Sequence, residues 1–179
     1  FVAQNQGFVD CGQAILDSAW NDGLEKATEA APTLINEAVL KTGENIQLGA
    51  IEEHAGETVG SYVHFTGKNA VIMVLKGGNV DLAKDIAMHV SAMKPTYIKS
   101  DDISNTDIEA VIEVLKKEVD ESGKPEDIKA KMMEGKVDGY FKEQTLVDQS
   151  FFKQPDITIA KLLEEHKAEV VSFKLYLVN

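Results

Sequence analysis

Apolar residues recur at helical spacing in the first third of the chain. Phe8, Ile15 and Ala19 form one series, and residues 34–39 form a second that begins just after Pro32. A proline in a helix interior removes a backbone hydrogen bond, so Pro32 predicts a break before the second helix. The opening third is therefore predicted to be mostly helical.

The pattern changes to alternation in residues 58–65, which predicts a half-buried strand. One face of this strand carries Val59, Val63 and Phe65, and the other carries Tyr62 and His64. A polar turn at residues 66–69 leads into a continuous apolar run at residues 70–75, which is typical of a central strand. We expect the two strands to form a hairpin, with the face of Val63 and Phe65 buried and that of His64 exposed.

A helix and a further strand are predicted to pack with this hairpin. Asn79 is placed to cap a helix with one apolar stripe, and Pro95 follows its end. Thr158 is placed to cap a short last helix, after which apolar and polar residues alternate along residues 171–177. We expect this final strand to return to the sheet that contains residues 70–75.

Residues 98–147 are interpreted as a helical insertion. Ser104 and Asp107 have the spacing of a capping box at the start of an amphipathic helix. Gly123 ends that helix, and Pro125 suits the first turn of another, where the N–H it lacks is not needed. The two helices are predicted to form an antiparallel hairpin of the coiled-coil type.

These elements predict an α+β protein, in which an antiparallel sheet packs with helices and carries the inserted helical hairpin. The predicted division places residues 1–57 in the N-terminal part of a core. Residues 58–97 together with 148–179 form its C-terminal part, and residues 98–147 form the hairpin.

Composition narrows the classes of function. The net charge of −12 arises from 30 acidic and 18 basic residues, and every basic residue is lysine. Nucleic-acid binding depends on neutralised phosphates and arginine forks, so we predict no nucleic-acid partner. No apolar run approaches the roughly 20 residues that span a membrane, and the single cysteine, Cys11, allows no internal disulfide. A cytoplasmic protein that binds another protein is the expectation.

The sequence shows no motif for catalysis, a metal ion or a cofactor. The four histidines lack metal-ligand spacing, and Gly60 with Gly67-Lys68 does not match a phosphate-binding loop. His89 suits a hydrogen-bonded packing role and a partner contact equally well. His64, on the predicted exposed face, is a candidate partner contact.

Several segments, in order, resemble the elongation factor Ts family. The matching segments are residues 1–3 (F-V-A), 42–46 (T-G-E-N-I), 60–64 (G-S-Y-V-H), 86–92 (I-A-M-H-V-S-A), 95–97 (P-T-Y), 122–125 (S-G-K-P), 134–136 (E-G-K) and 146–151 (L-V-D-Q-S-F). The resemblance covers the core and dimerisation region of that family but not its N-terminal helical domain. Lys174 stands where the family commonly has arginine, and Thr42 where it has an aliphatic residue.

The resemblance implies a guanine-nucleotide exchange factor that promotes release of GDP from elongation factor Tu. It implies that Phe1, beside Val2, acts as an apolar wedge near the magnesium site of the GTPase. It also implies that Thr42 and Gly43 lie against the GTPase domain, that His64 contacts another part of the partner, and that the hairpin permits a homodimer. His89 is kept as a candidate partner contact beside these residues.

Two other functions compete with nucleotide exchange. A dimerisation or scaffold fragment would bind elongation factor Tu without releasing its nucleotide. An enzyme using His64 and His89 with nearby glutamates ranks far below both, because no acid–base pair has catalytic spacing.

Overall fold

A computed structural model describes residues 5–178 and confirms an α+β fold. The helices of this range are α1 (Gln6–Asp22), α2 (Leu24–Thr42), α3 (Val80–Met93), α4 (Asn105–Asp120), α5 (Glu126–Gln144) and α6 (Ile159–Glu165). The strands are β1 (Thr58–Val63), β2 (Asn69–Lys76), β3 (Ser150–Phe151), β4 (Gln154–Thr158) and β5 (Glu169–Leu177). Short 3-10 turns lie at Ser100–Asp102 and Leu146–Asp148.

The chain divides into two compact units. Within the described range, the first unit comprises residues 5–55, 64–69 and Val178, and the second comprises residues 56–63 and 70–177. The predicted three-part division into residues 1–57, 58–97 with 148–179, and 98–147 stays a prediction.

The first unit is built on the packing of α1 against α2. The break between the two helices falls at Gly23, whose φ of 94° suits glycine. Pro32 lies inside α2, so the prediction that it separates two helices was wrong. The proline costs α2 one backbone hydrogen bond, which is offset by the burial of Ala27, Ala31 and Ala38 along one face.

The second unit contains a three-stranded sheet in the order β1-β2-β5. β1 and β2 are antiparallel, with Gly60 opposite Met73 and Tyr62 opposite Val71. The predicted hairpin and the return of the final strand beside residues 70–75 are both confirmed. Helix α3 covers one face of the sheet, and the fully buried residues there are Val71, Met73, Leu75, Ala83, Ile86, Ala87 and Val90.

The two faces of β1 are the reverse of those predicted. Tyr62 packs against the core, whereas Val63 is 67% exposed and Phe65, beyond the strand end, is 82% exposed. Gly60 explains the reversal, because a Cβ at that position would lie 2.6 Å from the Cβ of Ala83. Only a residue without a side chain lets α3 approach this face so closely.

The predicted caps of α3 and α6 are confirmed. The side chain of Asn79 accepts a hydrogen bond from the backbone N–H of Leu82 at 2.9 Å. The hydroxyl of Thr158 accepts one from the N–H of Lys161 at 3.3 Å. Each cap satisfies a donor that the first helical turn leaves without an intrahelical partner.

Helices α4 and α5 pack against each other and are joined by residues 121–125. The capping box of α4 is confirmed, with Asp107 N–H donating to Ser104 Oγ at 3.1 Å and Ser104 N–H donating to Asp107 Oδ2 at 3.4 Å. Lys136 Nζ lies 2.7 Å from a Glu118 carboxylate oxygen, which links the two helices.

The segment that leads from the core to α4 is hydrogen-bonded to the segment that leads back from α5. Leu146 N–H donates to Tyr97 O at 2.9 Å, and Val147 N–H donates to Ile98 O at 3.1 Å. Tyr97 and Thr145 form a parallel bridge. Leu146 is fully buried in the core, so the end of the 98–147 segment is part of the packed second unit. The small β3–β4 hairpin beyond it was not predicted.

Candidate partner-binding site

The first part of the candidate site is the C-terminal end of α2. Gly43 ends the helix in the left-handed conformation, with φ 71°, and its N–H donates to Val39 O at 2.8 Å. The Thr42 hydroxyl donates to Ala38 O at 2.8 Å, and the N–H of Glu44 donates to Thr42 Oγ1 at 3.3 Å. This end is therefore a fixed backbone corner.

The space beside Gly43 is open. Gly43 is exposed, and a Cβ there would meet nothing within 4 Å. Glycine is needed at this position for its positive φ and not for lack of room. The corner leaves backbone groups of this unit accessible to another surface.

The second part is the turn between β1 and β2, which contains His64. The His64 N–H donates to Asn69 O at 2.9 Å, and the Gly67 N–H donates to His64 O at 2.8 Å. The Thr66 N–H donates to His64 Nδ1 at 3.3 Å, and the Thr66 hydroxyl lies 2.8 Å from the same nitrogen. Because Nδ1 accepts these bonds, the neutral ring carries its proton on Nε2.

Phe65 is the residue of this turn that the sequence analysis missed. Its ring is 82% exposed and lies against the His64 ring, with the two centroids 4.4 Å apart and the planes tilted by 36°. The alternating pattern had placed Phe65 on the buried face. The available signal was Gly60, whose missing side chain marks the face of β1 that a helix can approach.

His89 lies inside the second unit and is fully buried. The Phe152 N–H donates to its Nδ1 at 3.3 Å, so Nε2 carries the proton and donates to Gln149 Oε1 at 2.9 Å. Gln149 Nε2 in turn donates to Glu143 O at 2.6 Å. Burial lowers the pKa of the His89 imidazole below its usual 6.5, and the hydrogen bond with Gln149 opposes this only in part.

The geometry of His89 corresponds to the packing role, one of the two roles that the sequence left open. The ring joins α3 to the segment that follows α5, and it also lies near Phe151 and Phe152, with ring centroids 6.1 and 6.0 Å away. A partner contact by His89 stays a prediction.

The structure groups some of the predicted contact residues and not others. Thr42, Gly43 and His64 belong to the first unit, and His89 belongs to the second. The remaining two predicted contacts, Phe1 and Val2, lie outside the described residues.

Within residues 5–178, no group of three or more histidine, cysteine, aspartate or glutamate side chains could hold a metal ion. Over the same part of the chain, none of the helices is long and apolar enough to cross a membrane. The sites that the geometry does offer are the exposed backbone corner at Gly43 and the hydrogen-bonded turn at His64. Both are suited to contact with a protein surface.

Comparison with known proteins gives consistent matches along the chain. The sequence model of the family described as elongation factor TS matches residues 1–179. Elongation factor Ts of Hahella chejuensis is 34% identical over 190 residues, which cover 100% of this chain and 64% of that protein. The same-named protein of Saccharophagus degradans is 37% identical over 182 residues, covering 97% and 62%.

A higher identity is confined to a shorter region. Elongation factor Ts of Psychromonas ingrahamii is 46% identical over 135 residues, which cover 75% of this chain and 46% of that protein. The chain spans a little under two thirds of the length of the first two relatives.

Proposed function

The chain belongs to the elongation factor Ts family, and from this membership we propose that it is a guanine-nucleotide exchange factor for elongation factor Tu. It promotes release of GDP from that GTPase during translation elongation. The observation that carries the proposal is the family match over residues 1–179. Elongation factor Tu is the proposed partner, and the proposed compartment is the cytoplasm.

Exchange of this kind needs binding energy and no covalent chemistry. A factor that weakens GDP binding by a given ratio is itself bound more weakly by the same ratio when GDP is present. The factor therefore needs surfaces that fit the nucleotide-free GTPase better than the GDP-bound form. The corner at Thr42-Gly43 and the turn at His64 are fixed by internal hydrogen bonds, so little ordering cost arises when they dock.

The proposed binding site has two parts, an apolar wedge and a holding surface that binds the GTPase. Phe1, with Val2, is the wedge that the family resemblance implies. Thr42, Gly43 and His64 hold the GTPase, and His89 supports the second unit from inside. The acidic balance of the chain, with net charge −12, favours a protein partner over nucleic acid.

The direct test is release of fluorescent GDP from elongation factor Tu in the presence and absence of this chain. Acceleration of release supports the exchange function. Absence of any complex, by equilibrium binding to the nucleotide-free GTPase, would overturn the proposal.

Two substitutions separate the wedge from the holding surface. Phe1→Ala is expected to slow GDP release at saturating factor, because a buried interface aromatic contributes about 2 kcal/mol or more. His64→Ala is expected to weaken complex formation by about 1 kcal/mol and to leave the saturated release rate near that of the wild type. His166→Ala, at the exposed end of α6, is the matched control. An unchanged release rate in Phe1→Ala would show that Phe1 is not a wedge.

A second candidate function is that of a scaffold that binds elongation factor Tu without exchange. The observation that favours it is that the regions with a defined contact geometry, at Gly43 and at His64, offer surfaces for binding. Binding without accelerated GDP release would select this function. The α4–α5 segment, where Val114 is 77% exposed, is the proposed surface for homodimerisation in either case.

A further inference from the structure

We propose that Phe65 is an apolar anchor of the contact with elongation factor Tu and that His64 and Thr66 hold it in its binding orientation. Phe65 inserts into an apolar pocket on the GTPase, and carboxylate groups lie at the rim of that pocket. The inference rests on the proposed function, because it adds a residue to the surface that contains His64.

The exposure of Phe65 is the first observation. A phenylalanine that is 82% exposed leaves most of its apolar surface in water, although the side chain gains from burial. Isolated exposed apolar residues are common on protein surfaces, so exposure alone does not identify a contact. The surroundings of Phe65 supply the remaining argument.

The turn holds the Phe65 ring in a defined place. Its backbone is closed by hydrogen bonds from His64 N–H to Asn69 O and from Gly67 N–H to His64 O. Thr66 fixes the imidazole through Nδ1, and the imidazole lies against the phenyl ring. A ring that is oriented before binding loses little conformational entropy when it is buried at an interface.

The charge of this region determines the kind of pocket. The turn itself, residues 64–69, contains no aspartate or glutamate. The exposed Lys68 lies in the same turn, and its carbonyl oxygen accepts a hydrogen bond from the Val178 N–H at 2.8 Å. An apolar pocket with carboxylates around it matches a phenyl ring flanked by a lysine.

The contact is tested by affinity for nucleotide-free elongation factor Tu. Phe65→Ala should raise the Kd roughly 30-fold, the loss typical of an interface hot spot, and Phe65→Leu should give a smaller loss. Trp20→Ala is the control, because Trp20 is an aromatic of the same unit that is 90% exposed on α1. Its Kd should stay within about twofold of the wild type. Thermal melts should be the same for all variants, since both rings lie in solvent.

The support is tested by Thr66→Val, which removes the hydroxyl at His64 Nδ1. The Thr66 N–H bond to Nδ1 remains in this variant, so nitrogen NMR should show a shifted Nδ1 resonance with the Nε2-protonated tautomer kept, and the Kd should rise roughly threefold. Thr66→Ser should restore both. An unchanged Nδ1 resonance and an unchanged Kd would overturn the positioning role of Thr66.

The outcomes separate this inference from the proposed function. If the wild type binds and Phe65→Ala binds equally well, the anchor is refuted while the exchange proposal stands. An equal loss in Trp20→Ala would also refute it, because the effect would then belong to any exposed aromatic. Failure of the wild type to bind overturns the proposed function itself.

Lys68→Glu should slow association with the GTPase at low salt, and an unchanged association rate would refute the acidic rim of the pocket.

Discussion

Replacing His89 should destabilise the second unit, and the hydrogen bonds around its ring determine by how much. In His89→Ala, the Gln149 Oε1 atom loses its hydrogen-bond donor. Gln149 is only 6% exposed, so water does not readily replace that donor. A buried acceptor without a partner costs about 1–3 kcal/mol. A hole of roughly 60 Å³ left by the imidazole adds about 1.5 kcal/mol. The expected loss of unfolding free energy is about 3 kcal/mol.

The same residue should make stability depend on pH. Burial lowers the pKa of His89 in the folded protein below its usual 6.5, so the unfolded chain binds the proton more readily. The neutral His89 ring therefore makes its full contribution to the unfolding free energy above about pH 6.5, and this contribution is lost as the pH falls below that value. Between pH 7.5 and 5.5 this loss amounts to at most about 1.4 kcal/mol.

The assay is urea unfolding of the wild type and of His89→Ala at pH 7.5 and at pH 5.5. All other titrating groups are common to both proteins, so the difference between their unfolding free energies isolates His89. That difference should shrink at pH 5.5, because only the wild type loses the contribution of a buried neutral imidazole. A difference that stays constant would refute the reasoning, since His89 would then titrate alike in both states. His166→Ala, which loses one hydrogen bond of 2.9 Å to Leu162 O at the end of α6, should cost less unfolding free energy at pH 7.5 than His89→Ala.

Three further predictions concern packing, the helical insertion and charge. Gly60→Ala should lower the unfolding free energy by about 1–3 kcal/mol, because its Cβ would lie 2.6 Å from that of Ala83. Gly139→Ala, in α5 with nothing within 4 Å, should leave stability unchanged or raise it by up to about 1 kcal/mol, and equal urea midpoints for the two variants would contradict this. Replacing residues 99–144 by a flexible linker should leave a core that unfolds cooperatively, provided that the buried Leu146 is kept; calorimetry without a transition would contradict it. Anisotropy should detect no submicromolar binding to RNA or DNA at physiological salt.

The features that sequence reasoning predicted correctly are those decided by nearby residues. Asn79, Ser104 and Thr158 were recognised as caps because a cap and the N–H groups it serves lie within three residues of each other. The position of β5 beside β2 was predicted from the apolar alternation of β5 and from the apolar run of β2, which is typical of a central strand with a neighbour on each side. These predictions needed no knowledge of distant packing.

The errors arose where distant packing decides the outcome. Pro32 is compatible with α2 because its neighbours Ala27 and Ala31 are fully buried, and the sequence does not show that burial. The β3–β4 hairpin was missed because β3 has only two residues, which is too short for a periodic signal. The hydrogen bonds of His89 were equally invisible, since Gln149 lies sixty residues further along the chain.

The reversed faces of β1 link the fold to the proposed site. The alternation in β1 can be read in two registers, and choosing the one that buries Val63 and Phe65 removes both residues from the surface. The close approach of Ala83 to Gly60 selects the other register, in which Tyr62 packs on the core and Phe65 lies exposed in the turn after the strand. One glycine therefore decides which face α3 covers, and with it whether Phe65 is a core residue or a surface available to a partner. For this reason the exposed ring beside His64 follows from the packing of α3 and could not be found from the apolar pattern alone.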